Sequence, residues 1–382
     1  MLLPVFATIR GGAKVLLFNA ALAGVIHLAA PSQPRLSDRA EYEYNGIEVL
    51  APRCPHTIYC YRILVPIALA QVPLDSELRW RGLAWLAHTA TGTVVAAAVP
   101  TGSPLIASVL LQSSYAFTFT AYDPYSPDPI VFLIAALILF YWISDRPLAA
   151  ALIAIVFVFA KETVALIATA PALAALMFRD RPTWRRWLAP AAMAWLALLT
   201  FHWYMDAFQG WGIAKNPAAS FSTGSWLALW WQNNPSLPRK ALMIFSPFGF
   251  AWLFAALGYR HSAVPVRQLA IGAVLPLAAL VYVQTPERAL GNAFFVVIPL
   301  ATAFLARASA APAWAAAITS ALVTAKIGLS TAWLPSISIL LIPASLSAAW
   351  AIESVRRRAV RGYDADARID NATDLNSDLN EQ

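Results

Sequence analysis

Charged residues are few in this chain, and most of the acids fall into small groups. Asp38, Glu41, Glu43 and Glu48 stand in Asp38-Arg-Ala-Glu41-Tyr-Glu43-Tyr-Asn-Gly-Ile-Glu48, and Asp75 and Glu77 follow. On a helix, residues three apart share a face, so Asp38 and Glu41 can reach one substrate; in a solvated loop they carry no chemistry. A second pair, Asp123 and Asp128, is held by prolines in Tyr122-Asp-Pro-Tyr-Ser-Pro-Asp128-Pro129. Asp128 can cap the helix that Pro129 begins. Asp123 has no such role and is a candidate for orienting a substrate hydroxyl or holding a divalent cation. Tyr125, between them, is a supporting candidate.

The basic candidates are three. Lys161-Glu162 interrupts two apolar stretches, Leu152–Phe159 and Val164–Ala175. That pair is either a neutral structural feature with the lysine reaching outward or a site where Lys161 meets an anionic phosphate. Arg288, next to Glu287 in Gln284-Thr-Pro-Glu-Arg-Ala-Leu-Gly-Asn292, can hold phosphate oxygens bidentately; an ordinary ion pair within the loop is the alternative. Arg62, in Tyr61-Arg-Ile-Leu-Val-Pro66, is the third. Cys54 and Cys60 are placed for a disulfide if their segment faces an oxidising compartment, with free thiols as the alternative. With His56 they fall short of the four ligands a structural zinc wants. No phosphate-cradling Gly-x-x-x-x-Gly-Lys loop, dinucleotide glycine motif, His-Glu-x-x-His or Gly-x-Ser-x-Gly is present.

These groups are set in 382 residues of which 59% are hydrophobic and 12% charged, far from the soluble norm. Apolar blocks near the ~20 residues needed to cross ~30 Å of hydrocarbon recur along the chain, which predicts an all-α, polytopic integral membrane protein. The blocks are Val15–Ala30, Gly82–Pro100, Pro104–Ala121, Pro129–Ile143, Pro147–Ala160, Thr163–Phe178, Trp187–Tyr204, Ala241–Gly258, Leu269–Val283, Ala293–Leu305, Ala313–Ile327 and Pro335–Ile352. They predict about twelve transmembrane helices in a single domain over 1–359. Tyr61–Ala70 is too short to cross and is expected to lie on the surface or re-enter. Alternating spans put Arg146, Arg179, Arg181, Arg185, Arg186, Arg260, Arg267, Arg307 and Arg356–Arg358 on one face, as cytoplasmic loops require, with both termini cytoplasmic. Arg79 and Arg81 run against that pattern. The other face receives a large first outer loop, 31–81, and a second, 206–240, rich in tryptophan. Residues 360–382 read as a disordered cytoplasmic tail. The excess of 27 basic over 20 acidic residues falls largely in short loops, which argues for membrane topology and against nucleic-acid binding.

The order of these features resembles the polytopic GT-C glycosyltransferases: a first span, an acidic outer loop, Tyr61-Arg62-Ile-Leu-Val-Pro66, Tyr122-Asp123-Pro124, the step Ala160-Lys161-Glu162-Thr163, and late in the chain Pro286-Glu287-Arg288. The resemblance implies a GT-C-like fold and transfer of a hexosyl or pentosyl group from a polyprenyl-phosphate donor to a glycan, lipid or protein acceptor. It implies a general base at Asp38, with Glu41 or Glu43 in its place, a second acid at Asp123, and Lys161, Arg288 and Arg62 at the donor phosphate, supported by Glu162, Tyr125 and Glu287. In this chain Arg39 and Ala40 separate the first-loop acids that many members hold adjacent. No cofactor is firmly implied; a divalent cation is an open alternative. The expected setting is the bacterial inner membrane, with the site facing the periplasm. A transporter or flippase of lipid-linked sugars and a non-catalytic assembly subunit are the competing readings; the spans hold few of the charges a transport path needs, His27, His88, His202 and Lys326 being the visible polar cases.

Overall fold

The computed structural model describes residues 9–30, 42, 61–99, 103–208, 226–233, 236–281, 286–328 and 337–380. Among them the chain is helical without a strand. Three helices are long and apolar enough to cross a membrane: Gly11–Ala29, Arg181–Phe208 and Ile339–Val360. Their side chains point mostly outward, with Leu28 89%, Leu196 68% and Leu346 68% exposed, an apolar surface that suits lipid rather than water.

Most of the remaining apolar blocks fold as shorter pieces, the exceptions lying in Ser76–Ala98 and Ala310–Gly328 with 23 and 19 residues. Asp128–Ile143, Thr163–Met177 and Phe294–Leu305 have 16, 15 and 12 residues, about 18–24 Å at 1.5 Å per residue and so short of ~30 Å of hydrocarbon. Breaks have local causes. Ser113 and Ser114 divide 104–122 into α4 (Pro104–Gln112) and α5 (Tyr115–Tyr122). Lys161 and Glu162 separate α7 (Pro147–Phe157) from α8 (Thr163–Met177). The block from Leu269 shortens to α13 (Val264–Gly272) and a 3-10 turn over Pro276–Val281. Three helices, not twelve, are therefore both long and apolar enough to cross among the described residues.

The loop boundaries also shift. α2 (Leu64–Ala70) is seven residues long, too short to cross, as its ten-residue apolar run foretold. α3 begins inside the expected first loop, at Ser76, because Asp75 caps it by accepting the Leu78 N–H at 3.0 Å. Arg79 and Arg81 accordingly stand on a helix rather than in a loop, and Arg81 pairs with Glu77 at 2.9 Å. In the second loop α10 (Trp226–Asn233) and α11 (Leu237–Phe245) form, after α9 (Arg181–Phe208). At the C-terminus one helix, α17, runs over Ile337–Asn380 where a disordered tail from Val360 was expected. Alanine and arginine dominate its middle, and helix propagation from an existing nucleus needs little more.

The bundle has two distinct ends. α1 (Ile9–Ala29) lies along α3 (Ser76–Ala98), α3 along α6 (Asp128–Ile143), and α9 along α7 and α8. At one end Arg186 pairs with Asp145, Trp142 Nε1 donates to Pro265 O at 2.7 Å, and Ser309 meets Ser354 at 3.0 Å. Asp128, Lys161 and Arg62 gather at the other. Packing between is tight. A Cβ on Gly272 would stand 2.1 Å from Ala170 O, and one on Gly258 1.9 Å from Leu300 O, so only glycine lets these helices approach. Polar side chains also join helices: His27 Nε2 lies 3.0 Å from His88 Nδ1, His88 Nε2 lies 2.9 Å from Thr120 Oγ1, and the Asn19 amide donates to Ser108 Oγ at 2.9 Å. The network ties α1, α3, α4 and α5, as interhelical hydrogen bonds do where apolar packing gives no preference over lipid.

Candidate functional site

The site grows from the break between α7 and α8. Lys161 and Glu162 interrupt the apolar run, the helix opens, and Phe159 O is left to accept the Leu64 N–H at 3.2 Å. That bond sets the start of α2 beside the break and brings the preceding Arg62 onto Glu162. Arg62 donates through Nε to Oε2 at 3.0 Å and through Nη2 to Oε1 at 2.6 Å, and Nη1 reaches the Tyr42 hydroxyl at 3.1 Å. This planar fork is the geometry arginine makes with carboxylates.

Beside it lies a second set. Asp128, the first residue of α6, accepts Lys161 Nζ at 2.5 Å on Oδ1 and Arg288 Nη2 at 2.6 Å on Oδ2. Arg288 comes from α14 (Pro286–Gly291), and its guanidinium carbon stands 4.8 Å from the centre of the Phe119 ring. Pro127 and Pro129 flank Asp128, and its own N–H donates to Ser126 Oγ at 3.1 Å, so the backbone there is held. Asp123 ends α5 with 3% exposure, and its charge acts on Arg288. Tyr125 is fully buried against Trp80, ring centres 5.9 Å apart, and Trp80 lies tilted against Tyr42 at 5.7 Å.

Electrostatics follow from burial and pairing together. Burial opposes the charge on Glu162, yet the Arg62 guanidinium holds its carboxyl below the usual range. Burial lowers the affinity of Lys161 for its proton in spite of Asp128. Glu287, which forms no ion pair among the described residues, is raised by burial. Three cations and three carboxylates from residues 62 to 288 thus meet within one buried cluster.

Of the residues singled out by sequence, Asp123, Arg62, Lys161, Glu162, Arg288 and Tyr125 come together here. Asp38, Glu41, Glu43, Cys54 and Cys60 lie outside the described residues. Two expectations change. Asp128 makes no side-chain cap but bridges Lys161 and Arg288. Arg288 pairs across the fold rather than with its neighbour Glu287. The signal for Asp128 was present in the sequence: a lysine and an arginine inside an apolar bundle demand a buried acid, and Asp128 was within reach at a helix start.

A further polar group was missed. The Tyr61 hydroxyl donates to Asp206, and the Tyr61 ring stacks on His202 with centres 4.0 Å apart. His202 and Asp206 stand four apart, on one face of α9, which was the available clue. Among the described residues no three His, Cys, Asp or Glu side chains converge in a set that could hold a metal ion. Compared with family models, with curated proteins and with solved structures, the chain matches none.

Proposed function

We propose that the chain is a GT-C-like membrane glycosyltransferase that moves a sugar from a polyprenyl-phosphate donor to an acceptor hydroxyl at the periplasmic face of the bacterial inner membrane. The observation that supports it is the convergence of Arg62, Lys161 and Arg288, from three distant segments, on Glu162 and the buried Asp128, at the end of the bundle opposite the Arg186–Asp145 pair. Ionisable groups buried in an apolar bundle are costly and mark function by default. A polyprenyl phosphate cannot leave the bilayer, so its cationic site belongs at headgroup level, near helix ends. Lys161 uses one of its three N–H donors, and Arg288 one of its five, on Asp128, which leaves both with donors for phosphate oxygens.

In this reaction the acceptor oxygen attacks the anomeric carbon, the bond from that carbon to the phosphate oxygen breaks, and the phosphate keeps the electron pair. Lys161 and Arg288 stabilise the charge that develops there. Asp123, beside Arg288, orients the hydroxyl. A first-loop carboxylate, Asp38 or in its place Glu41 or Glu43, takes the hydroxyl proton, a contribution of about 10²–10⁴-fold. The test replaces Asp38 and Asp123 singly by asparagine in the full chain in proteoliposomes and measures transfer from polyprenyl-phosphate sugars. Both variants should lose transfer by about 10²-fold or more; full transfer by both refutes the mechanism.

A further inference from the structure

At the end of the bundle opposite the proposed site, α16 (Ala310–Gly328) begins against α17, and a cavity of about 320 Å³ opens between them. Ser309, Trp350, Glu353, Ser354, Arg357 and Arg358 line it. The Ser309 N–H donates to Ser354 Oγ at 3.0 Å, and the two hydroxyl oxygens also lie 3.0 Å apart. The bond between the hydroxyls uses one of their two O–H groups, so the other is left to donate. Glu353, the acid of the lining, takes Arg356 Nε at 3.0 Å and Arg357 Nε at 2.8 Å. Each guanidinium keeps further N–H donors. Arg358 Nη1 reaches Arg307 O at 3.5 Å, which draws the turn after α15 (Phe294–Leu305), with Arg307 in it, to the same rim.

An apolar track leads to this cavity. Ile339, Ile342, Leu346 and Trp350 recur three and four apart on one face of α17, and all four are exposed. Glu353 and Arg357 continue that face at the same spacing. From Ile339 to Trp350 the stripe runs about 16 Å, close to half of ~30 Å of hydrocarbon and so to one leaflet. Trp350 stands at the end nearest the cavity, the headgroup level that tryptophan favours. We propose that the cavity binds the phosphodiester headgroup of an anionic phospholipid, whose acyl chains lie along the stripe. Serine O–H and guanidinium N–H groups donate to phosphate oxygens, and basic pockets between spanning helices take such headgroups. A zwitterionic phospholipid carries the same phosphodiester, but the arginines repel its quaternary ammonium and Glu353 is already paired. The bound headgroup meets Ser309 before α16 and Ser354 on α17, and so braces the two helices. None of Asp128, Lys161 and Arg288 takes part, and the site is independent of the sugar-transfer reading.

The experiment is native mass spectrometry of the full chain in a neutral detergent, offered equal amounts of phosphatidylglycerol and phosphatidylcholine with the same acyl chains. The native protein should retain phosphatidylglycerol at least about tenfold over phosphatidylcholine. Arg357→Gln/Arg358→Gln should lose that preference about tenfold. Ser309→Ala/Ser354→Ala, which keeps every charge, should weaken retention of phosphatidylglycerol about threefold or more. Arg181→Gln/Arg185→Gln removes as much charge at the start of α9 and should leave the preference as it was. Equal retention of the two lipids by the native protein overturns the proposal even if a variant does not fold. Unchanged retention in either folded cavity variant overturns it too. An equal loss in the Arg181/Arg185 variant also overturns it, and assigns the preference to the charge of the whole face. Displacement of the lipid by glycerophosphoglycerol at the lipid's own concentration overturns the lipid assignment and makes the cavity a site for a free phosphodiester.

Discussion

Replacing Arg62 by methionine isolates the energetics of the buried cluster. The substitution keeps an apolar stem but removes both N–H groups that meet Glu162 at 3.0 and 2.6 Å. Breaking a buried pair by removing one partner costs about 3–5 kcal/mol. The Arg62 side chain is 9% exposed and that of Glu162 30%, so water recovers part of the penalty and about 2–3 kcal/mol is expected. Arg62→Met/Glu162→Gln, which removes the stranded charge, should recover at least half of it. Thermal unfolding of the full chain in one detergent reads the series. A shift of about 2–4 °C per kcal/mol holds for 150–250 residues, and a longer chain shifts less, so the single variant should melt several degrees lower.

The pH dependence adds a sign. Burial pushes the Glu162 carboxyl up, but Arg62 outweighs it and holds the group below its ordinary value. Its stabilisation is thus full above the ordinary carboxylate pKa and disappears as the pH falls through the lower, folded-state value. In Arg62→Met burial, the largest influence, is opposed only by the Lys161 charge and a backbone hydrogen bond, so the carboxyl rises and the sign inverts: the variant should gain stability between pH 7 and 5, where the native protein does not. If the single and double variants melt together and neither differs from the native protein with pH, the pair has no energetic role and the reasoning fails.

Three further outcomes are expected. Gly272→Ala drives a methyl group to 2.1 Å from Ala170 O; overpacking of about 1–3 kcal/mol should lower the melting temperature, and an unchanged value would mean α8 and α13 part freely. Asp75→Ala removes the cap on Leu78 N–H and should cost about 1 kcal/mol, while Asp75→Asn costs less; equal losses would deny the cap. His88→Ala leaves His27 and Thr120 without their shared partner, so a loss of about 1–3 kcal/mol is expected; hydrogen exchange of α1 and α5 should rise together, and a rise in neither speaks against the network as a tie.

Class and content of the site were legible for different reasons. The apolar bias marks a membrane chain wherever it falls, and Lys161-Glu162 is conspicuous because charge inside an apolar run needs a partner. Composition cannot say which partner. Asp128 looked like a helix cap because Asp-Pro is a good helix start, and its long-range role depends on residues 33 and 160 positions away. Tyr61 and Asp206, 145 positions apart, were hidden for the same cause. The expected span count exceeds the three helices found among the described residues because hydropathy averages across Ser113-Ser114 and Lys161-Glu162, whereas the backbone breaks there.

The bond from Leu64 N–H to Phe159 O at 3.2 Å joins two main chains. No change of side chain at either position deletes it, except proline at residue 64, which has no N–H to give. The register that places Arg62 over Glu162 is therefore written into the backbone. Related chains could exchange the side chains around it, and alter what the cluster recognises, while keeping this arginine in its place.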